Sequence, residues 1–159
     1  PARYALCELV TLHDPSLGFE AIHRVIFGVE PQALLDALAA ACPGAYFGEG
    51  EGHVLRYVYA GGEGCITVPH PAAQLEVGTL QSFLDGYVQK NGGRIDYIHG
   101  EDVTRRLACQ PGNLGFLLPA MGKDQLFPTV IHDGALPRKT FSMGHAHDKR
   151  FYLEARKIR

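Results

Sequence analysis

The chain has 159 residues, of which 46% are hydrophobic and 20% charged. This composition is typical of one globular domain and excludes disordered, collagen-like and coiled-coil chains. No apolar run approaches the roughly 18 residues of a membrane span, and no secretory signal pattern opens the chain. We therefore expect a single domain over residues 1–159, a cytoplasmic location and no membrane partner.

The net charge of −2 is unevenly distributed along the chain. Residues 1–136 carry 8 basic and 15 acidic side chains, whereas residues 137–159 carry 7 basic and 2 acidic ones. A general nucleic-acid binder has a basic domain, so we expect no nucleic-acid partner. The basic end favours either an anion site built from the last segment or a basic end packed against the acidic body.

The four cysteines have no C-x-x-C or Cys/His zinc spacing. We expect them to be reduced and buried, as is usual for a cytosolic protein. His145, His147 and Asp148 make an incomplete ligand set, so the sequence predicts no metal site.

The predicted elements begin with an apolar run at residues 4–12, which has the pattern of a strand. This strand follows Pro1 directly, and so abrupt a start suggests a domain cut from a longer polypeptide. Residues 19–27 predict a second strand. Pro31 can open a helix, whose apolar residues Leu34, Leu35 and Leu38 follow at helical spacing before Pro43.

The middle of the chain predicts a hairpin followed by a helix. Residues 53–59 and 65–68 are strand-like runs on either side of a glycine-rich turn. An apolar stripe at helical spacing then indicates a helix with Thr79 as a plausible N-cap; the stripe comprises Leu80, Phe83, Leu84, Tyr87 and Val88.

The last third alternates strands and helices. We predict strands at residues 94–98, 113–118 and 149–158, and helices at residues 100–108 and 124–132. The inner faces of the two helices are expected to be Val103 and Leu107, and Phe127, Val130 and Ile131. Such a succession favours parallel crossover pairing. The predicted class is α+β: a mixed β-sheet with a hairpin region, a β-α-β-α crossover region and a final C-terminal strand.

Two histidines lie where a site is expected. His99, Gly100 and Glu101 form a strand-to-helix corner, a place where ligands of α/β sheets gather, although the alternative is a plain helix cap. His23 and Arg24 are polar residues inside an apolar strand and must find partners. They are either the wall of a site or a satisfied structural pair. His23 and His99 are the candidates for proton handling.

Residues 137–144 form the densest polar segment. Arg138 and Lys139 supply cationic donors, and Thr140 and Ser142 supply hydroxyls beside Gly144. Such a set suits a phosphate or carboxylate. The alternative is a basic connector that neutralises the acidic body. We expect the segment to fold beside the corner at His99, so that a ligand would contact Arg24, Gly100, Glu101 and the segment together.

Several segments resemble the C-terminal part of a bacterial family, domain-of-unknown-function family 1015. The resemblance runs over nearly the whole chain and is carried by His13-Asp14-Pro15, Phe19-Glu20, Ile22-His23-Arg24-Val25, Tyr97-Ile98-His99-Gly100, Gly115-Phe116-Leu117-Leu118-Pro119 and, most specifically, Leu136-Pro137-Arg138-Lys139-Thr140-Phe141-Ser142-Met143-Gly144. Full-length members resemble ParB/sulfiredoxin-like proteins in their N-terminal part. The resemblance implies a missing N-terminal partner, no cofactor in this fragment and a nucleotide in the full-length protein.

Two functions remain open at this point. In the first, the chain is an accessory domain of a cytosolic enzyme and binds an anionic or phosphorylated small molecule. In the second, it is a non-catalytic structural or dimerisation domain that supports the missing N-terminal part or forms a homodimer.

Overall fold

The computed structural model describes residues 11–144, which form seven β-strands and four α-helices. The strands are β1 (Phe19–Phe27), β2 (Tyr46–Phe47), β3 (His53–Tyr59), β4 (Gly62–Val68), β5 (Arg94–His99), β6 (Asn113–Leu117) and β7 (Phe141–Met143). The helices are α1 (Pro31–Ala41), α2 (Glu76–Asn91), α3 (Glu101–Ala108) and α4 (Leu126–Asp133), the last preceded by a 3-10 turn at Lys123–Gln125. The strand predicted at 149–158 lies outside the described residues, as do residues 4–10 of the first predicted strand.

The strands form one sheet in the order β2-β4-β3-β6-β1-β5, and β7 pairs with the beginning of β1. The predicted α+β class is confirmed, and so is the hairpin, in which β3 and β4 pair over their full length from His53 opposite Val68 to Tyr59 opposite Gly62. Every pairing among the described strands is antiparallel.

The predicted parallel pairing in a mixed sheet is therefore wrong. The crossover from β5 through α3 to β6 exists, and these two strands run in the same direction, but β1 lies between them and is antiparallel to both. The reason is in β1 itself, where residues 22–26 are all buried. A strand that is buried on both faces lies inside a sheet, where it has a neighbouring strand on each side.

The two faces of the sheet are covered by different helices. Helices α1 and α2 pack on one face and enclose the main core, whose fully buried members include Ile26, Leu34, Leu38, Leu55, Ile66, Leu80, Leu84, Leu114 and Phe116. Helix α3 packs on the opposite face, over β1 and β6. Its closest approach is at Gly115, where an added Cβ would lie 2.7 Å from the Cβ of Ala108.

Two predicted helix details are corrected by the structure. Helix α2 begins at Glu76 with Leu75 as its N-cap, so Thr79 is inside the helix. The Thr79 hydroxyl instead lies 2.9 Å from Nδ1 of His53. In α3 the buried residues are Thr104 and Ala108, because the helix turns its small side chains toward Gly115 and leaves Val103 exposed.

Helix α4 faces the other way from the prediction. Phe127, Val130 and Ile131 are 63%, 41% and 79% exposed, and the buried residue of the helix is Thr129. The periodicity correctly indicates an amphipathic helix, but a pattern does not say what the apolar stripe contacts. In the described part of the chain, the stripe is on the surface.

Burial of the cysteines is also overestimated by the sequence. Cys42 and Cys65 are partly buried, Cys109 is exposed, and all three are free thiols. Burial raises the pKa of the Cys42 thiol. No helix within residues 11–144 combines the length and the apolar character that crossing a bilayer requires.

Candidate functional site

A cleft of about 310 Å³ lies on the α3 face of the sheet, beside the three central strands. Arg56 on β3 is directly opposite Leu117 on β6, and the pairing of Arg24 with Phe116 puts His23 on the same face as Leu117. The row from His23 through Leu117 to Arg56 forms the floor. The described residues that line the cleft are His23, Val54, Arg56, Glu76, Glu101, Arg105, Leu117, Leu118 and Pro119.

His23 is the most enclosed polar side chain of the cleft, at 7% exposure. The backbone N–H of Leu118 donates to its Nδ1 atom at 3.1 Å. Since Nδ1 accepts, the proton of the neutral ring is on Nε2. No described residue pairs with Nε2, and Nε2 is not one of the fully buried atoms without a partner. The Nε2–H donor therefore opens toward the cleft.

The electrostatic surroundings keep the imidazole of His23 neutral. Burial lowers its pKa most strongly, and the nearby charges of Arg24 and His99 lower it further, while Glu101 acts in the opposite direction. At neutral pH the ring therefore has one fixed tautomer, one accepted hydrogen bond and one free donor. Such a group can donate to an oxygen atom of a ligand without carrying charge itself.

The charged residues of the cleft form pairs with one another and with carboxylates at its rim. Arg105 Nε donates to Glu101 at 2.8 Å, and its Nη1 contacts Glu63. These two partners raise the pKa of the Arg105 guanidinium. Arg56 pairs with Glu49. The carboxylate of Glu76 makes no hydrogen bond or ion pair with any residue in the described range 11–144.

Four contributors to this cleft are not predicted from the sequence: Arg56, Arg105, Glu76 and the N–H of Leu118. A partial signal existed for Arg105, which is four residues after Glu101 on one face of a helix. For Arg56 the only local signal is that a charged residue lies between Val54 and Val58 on one face of a strand. The hydrogen bond from Leu118 to His23 joins residues 95 positions apart, and no local pattern indicates it.

Arg24, the neighbour of His23, lies on the opposite face of the sheet. It has no exposed surface, and its guanidinium donates to Gln81 Oε1 at 3.0 Å and to the Ile22 carbonyl at 2.6 Å. Burial lowers its pKa to about 10, so it remains charged at neutral pH. Of the two alternatives, a site wall or a structural role, Arg24 therefore has the structural role. Its guanidinium is hydrogen-bonded inside the protein and is not available to a ligand.

The predicted anion-binding segment is engaged with the protein itself. Arg138 donates to Asp85 at 3.1 Å, and its guanidinium lies 5.5 Å from the ring of Tyr97. Thr140 is buried and donates its hydroxyl to the Pro137 carbonyl at 2.6 Å. Lys139 is exposed in a left-handed conformation with φ of 56°. This part of the segment is a turn held against α2 and β5.

The end of the segment does reach the predicted corner. Ser142 on β7 is buried and lies opposite Glu20 on β1, and the Glu20 carboxylate contacts Nε2 of His99. The N–H of Gly144 donates to the Gly18 carbonyl at 3.1 Å. The segment is therefore connected to the corner through β1: Glu20 pairs with Ser142 in the sheet and contacts His99 through its side chain.

Gly100 occupies the N-cap of α3 with φ of 96°, a conformation that suits glycine. Of the residues assigned to a site from sequence, His23 and Glu101 are brought together in the cleft, whereas His99, Gly100 and residues 138–144 are not among its lining residues.

The described residues contain no group of three or more potential metal ligands, and the His145-His147-Asp148 set lies outside them. Comparisons with family models, with curated proteins and with solved structures find nothing that matches this chain.

Proposed function

We propose that this chain is an accessory ligand-binding domain whose cleft at His23 holds a small molecule with a carboxylate or phosphate group. The observation that carries the proposal is the free Nε2–H of His23, a donor at the end of a side chain that is more than nine-tenths buried. A donor that opens into a cleft and has no protein partner there bonds to water or to a polar group of a ligand.

The two guanidinium groups of the cleft would bind an anion together with His23. Arg56 and Arg105 remain 57% and 40% exposed in their side chains although both are paired. Ion pairs that are this exposed contribute little stability, so the carboxylates at the rim are easily exchanged for an oxygen of a ligand. A guanidinium binds such an oxygen through charge-assisted, often bidentate hydrogen bonds.

The lining favours binding over covalent chemistry. None of the nine described lining residues carries a hydroxyl or a thiol, and these are the commonest nucleophiles of acyl-transfer enzymes. In this proposal His23 orients the ligand through a hydrogen bond, and His99, paired with Glu20, stabilises the start of β1. Any reaction takes place with groups supplied by another part of a larger protein.

The resemblance to family 1015 fits the same proposal. It makes the chain the C-terminal part of a longer bacterial, cytoplasmic protein, in which a nucleotide is bound by the N-terminal part and this domain holds a smaller ligand next to it.

Titration with inorganic phosphate and acetate tests the binding site directly. We expect either anion to shift the NMR signals of the His23 ring and of the Leu118 backbone amide, and the amide remains observable in variants of His23. The variant His23→Asn keeps an acceptor near the position of Nδ1 and loses the Nε2–H, so it should fold and bind at least about tenfold more weakly. His23→Gln keeps a donor near Nε2 and should bind more tightly than His23→Asn.

A matched control separates the cleft from general surface charge. Arg56→Gln should weaken binding, whereas Arg94→Gln, which removes another exposed and ion-paired arginine, should leave it unchanged. Equal losses in the two variants, or wild-type binding in His23→Asn, would show that the anion binds elsewhere.

The second candidate function is a structural or dimerisation domain, and helix α4 favours it. Phe127, Val130 and Ile131 place an apolar stripe on the surface, where such patches usually mark interaction sites. If a homodimer forms there, light scattering should give twice the chain mass, and Phe127→Ser together with Ile131→Ser should restore the monomer mass. A monomeric wild-type chain would rule out the homodimer.

A further inference from the structure

We infer that the ligand of the His23 cleft is a zwitterion, which brings an ammonium group in addition to its carboxylate or phosphate. This inference rests on the proposed function and adds the chemical class of the ligand. It follows from the balance of charges around the cleft, in which the carboxylates are counted together with the two arginines.

Within residues 11–144, the lining of the cleft is balanced in charge, and the carboxylates at its rim make the surroundings negative. Its lining includes the guanidiniums of Arg56 and Arg105 and the carboxylates of Glu76 and Glu101, and His23 is neutral. The two arginines also contact carboxylates outside the lining, Glu49 and Glu63. Counting the described residues of the lining and of the rim, two cations therefore face four anions, and a ligand that carried only negative charge would increase this imbalance.

Glu76 is the residue that the described structure leaves without a cation. It is the first residue of α2, lies half-buried at the edge of the cleft and makes no ion pair within residues 11–144. A helix N-terminus favours a negative charge at this position, but it does not require the carboxylate to line a cavity. An ammonium group in the cleft would give Glu76 a charge-assisted hydrogen bond.

Glu101 supplies a second place for the ammonium group once an anion is bound. It shares Arg105 with Glu63. A ligand carboxylate or phosphate that replaces Glu101 on Arg105 frees the Glu101 side chain within the same cleft. The anionic end is then held by Arg105 and by His23 Nε2–H, and the cationic end by Glu76 and Glu101.

The cleft has room for a ligand of this kind. Its volume of about 310 Å³ is many times the roughly 10–15 Å³ that one enclosed water molecule needs on the same measure. A molecule with two or three carbon atoms between its charged ends fits this space. The probes are therefore O-phosphoethanolamine and β-alanine, and each has a partner that lacks only the amine, namely ethyl phosphate and propionate.

The test compares the affinities of these four compounds for the whole chain, measured from the NMR shift of the His23 ring. We expect each zwitterion to bind about tenfold more tightly than its amine-free partner, as one hydrogen bond between charged groups would give. Glu76→Gln should reduce this preference to below about threefold. The control Asp102→Asn, which neutralises a first-turn acid of α3 outside the cleft, should leave the preference intact.

Each alternative result has a defined meaning. If the amine-free anions bind as tightly as the zwitterions, the inference is overturned and the anion site stands. If none of the four compounds perturbs His23, the proposed function fails and the inference fails with it. A preference for the zwitterions that survives in Glu76→Gln and also in Glu101→Gln places the ammonium elsewhere and overturns the inference.

Discussion

The guanidinium of Arg24 donates to the carbonyl oxygen of Arg138 at 3.2 Å, and so joins positions 114 residues apart in the chain. Arg24 is on the central strand of the sheet, and Arg138 is in the turn before β7. Both guanidiniums lie over the ring of Tyr97, at 4.7 and 5.5 Å. The polar segment near the end of the described chain is therefore attached to the middle of the fold.

Loss of this buried guanidinium should cost about 2–4 kcal/mol of unfolding free energy, because Arg24→Met leaves the carbonyls of Ile22 and Arg138 without their donor. Chemical denaturation measures the loss. Arg24→Lys should recover little of it, because an ammonium does not match the directions of three separate acceptors. The control Arg94→Met removes an exposed arginine and should cost less than about 1 kcal/mol. A comparable loss in both arginine variants would contradict the structural role of Arg24.

Stability should depend on pH through His23. Its pKa is lower in the folded state than the ordinary value of 6.5, so below that pH the unfolded chain binds a proton that the folded chain does not accept. The stabilising contribution is complete above about pH 6.5 and is lost as the pH falls through the folded pKa. Chemical denaturation of the wild type and of His23→Asn, carried out at several values between about pH 5 and pH 8, measures this contribution to the free energy of unfolding.

The wild type should lose up to about 1.4 kcal/mol per pH unit more than the variant in this window. Glu101→Gln should steepen the dependence, because Glu101 raises the pKa of His23. Parallel curves for wild type and His23→Asn would mean that the imidazole is not held neutral.

Gly115 should not tolerate a side chain. An added Cβ would lie 2.7 Å from Ala108 and 3.4 Å from Thr104 Cγ2, so Gly115→Ala should destabilise the chain by about 1–3 kcal/mol through overpacking against α3. The double variant with Ala108→Gly should recover part of this loss, corrected for Ala108→Gly alone. Purely additive effects of the two substitutions would contradict the close approach of α3 and β6.

Lys139 should be replaceable with a gain in stability. Its φ of 56° is in the left-handed region, which costs a residue with a Cβ roughly 1–2 kcal/mol. Lys139→Gly should therefore raise the free energy of unfolding by up to about 1 kcal/mol, once the entropy cost of glycine is subtracted. A higher midpoint of thermal unfolding would show this gain. The same variant tests the anion role assigned to Lys139 from sequence. If this variant binds phosphate more weakly than the wild type, Lys139 takes part in anion binding.

Local pattern predicted most of the described elements, although not the start of α2 or the short strand β7. β1 is observed over the predicted residues 19–27, and α1 begins at Pro31, because alternation, helical spacing and proline geometry are properties of neighbouring residues. Pattern also identified His23 and Glu101 as chemically unusual positions. It located the apolar stripe of α4 as well, although it assigned the stripe to the interior.

The tertiary structure decided which polar residues are available. Adjacent positions in a strand point to opposite faces, so His23 opens to the cleft while Arg24 is enclosed beneath α2. Thr140, which looks like an anion ligand in sequence, is buried and donates to Pro137, and Arg138 pairs with Asp85 on α2, outside the cleft. The pairing of β6 with both β1 and β3 brings His23 to Leu118 and Arg56. Such long-range contacts depend on how strands are ordered in the sheet, and no short stretch of sequence encodes that order.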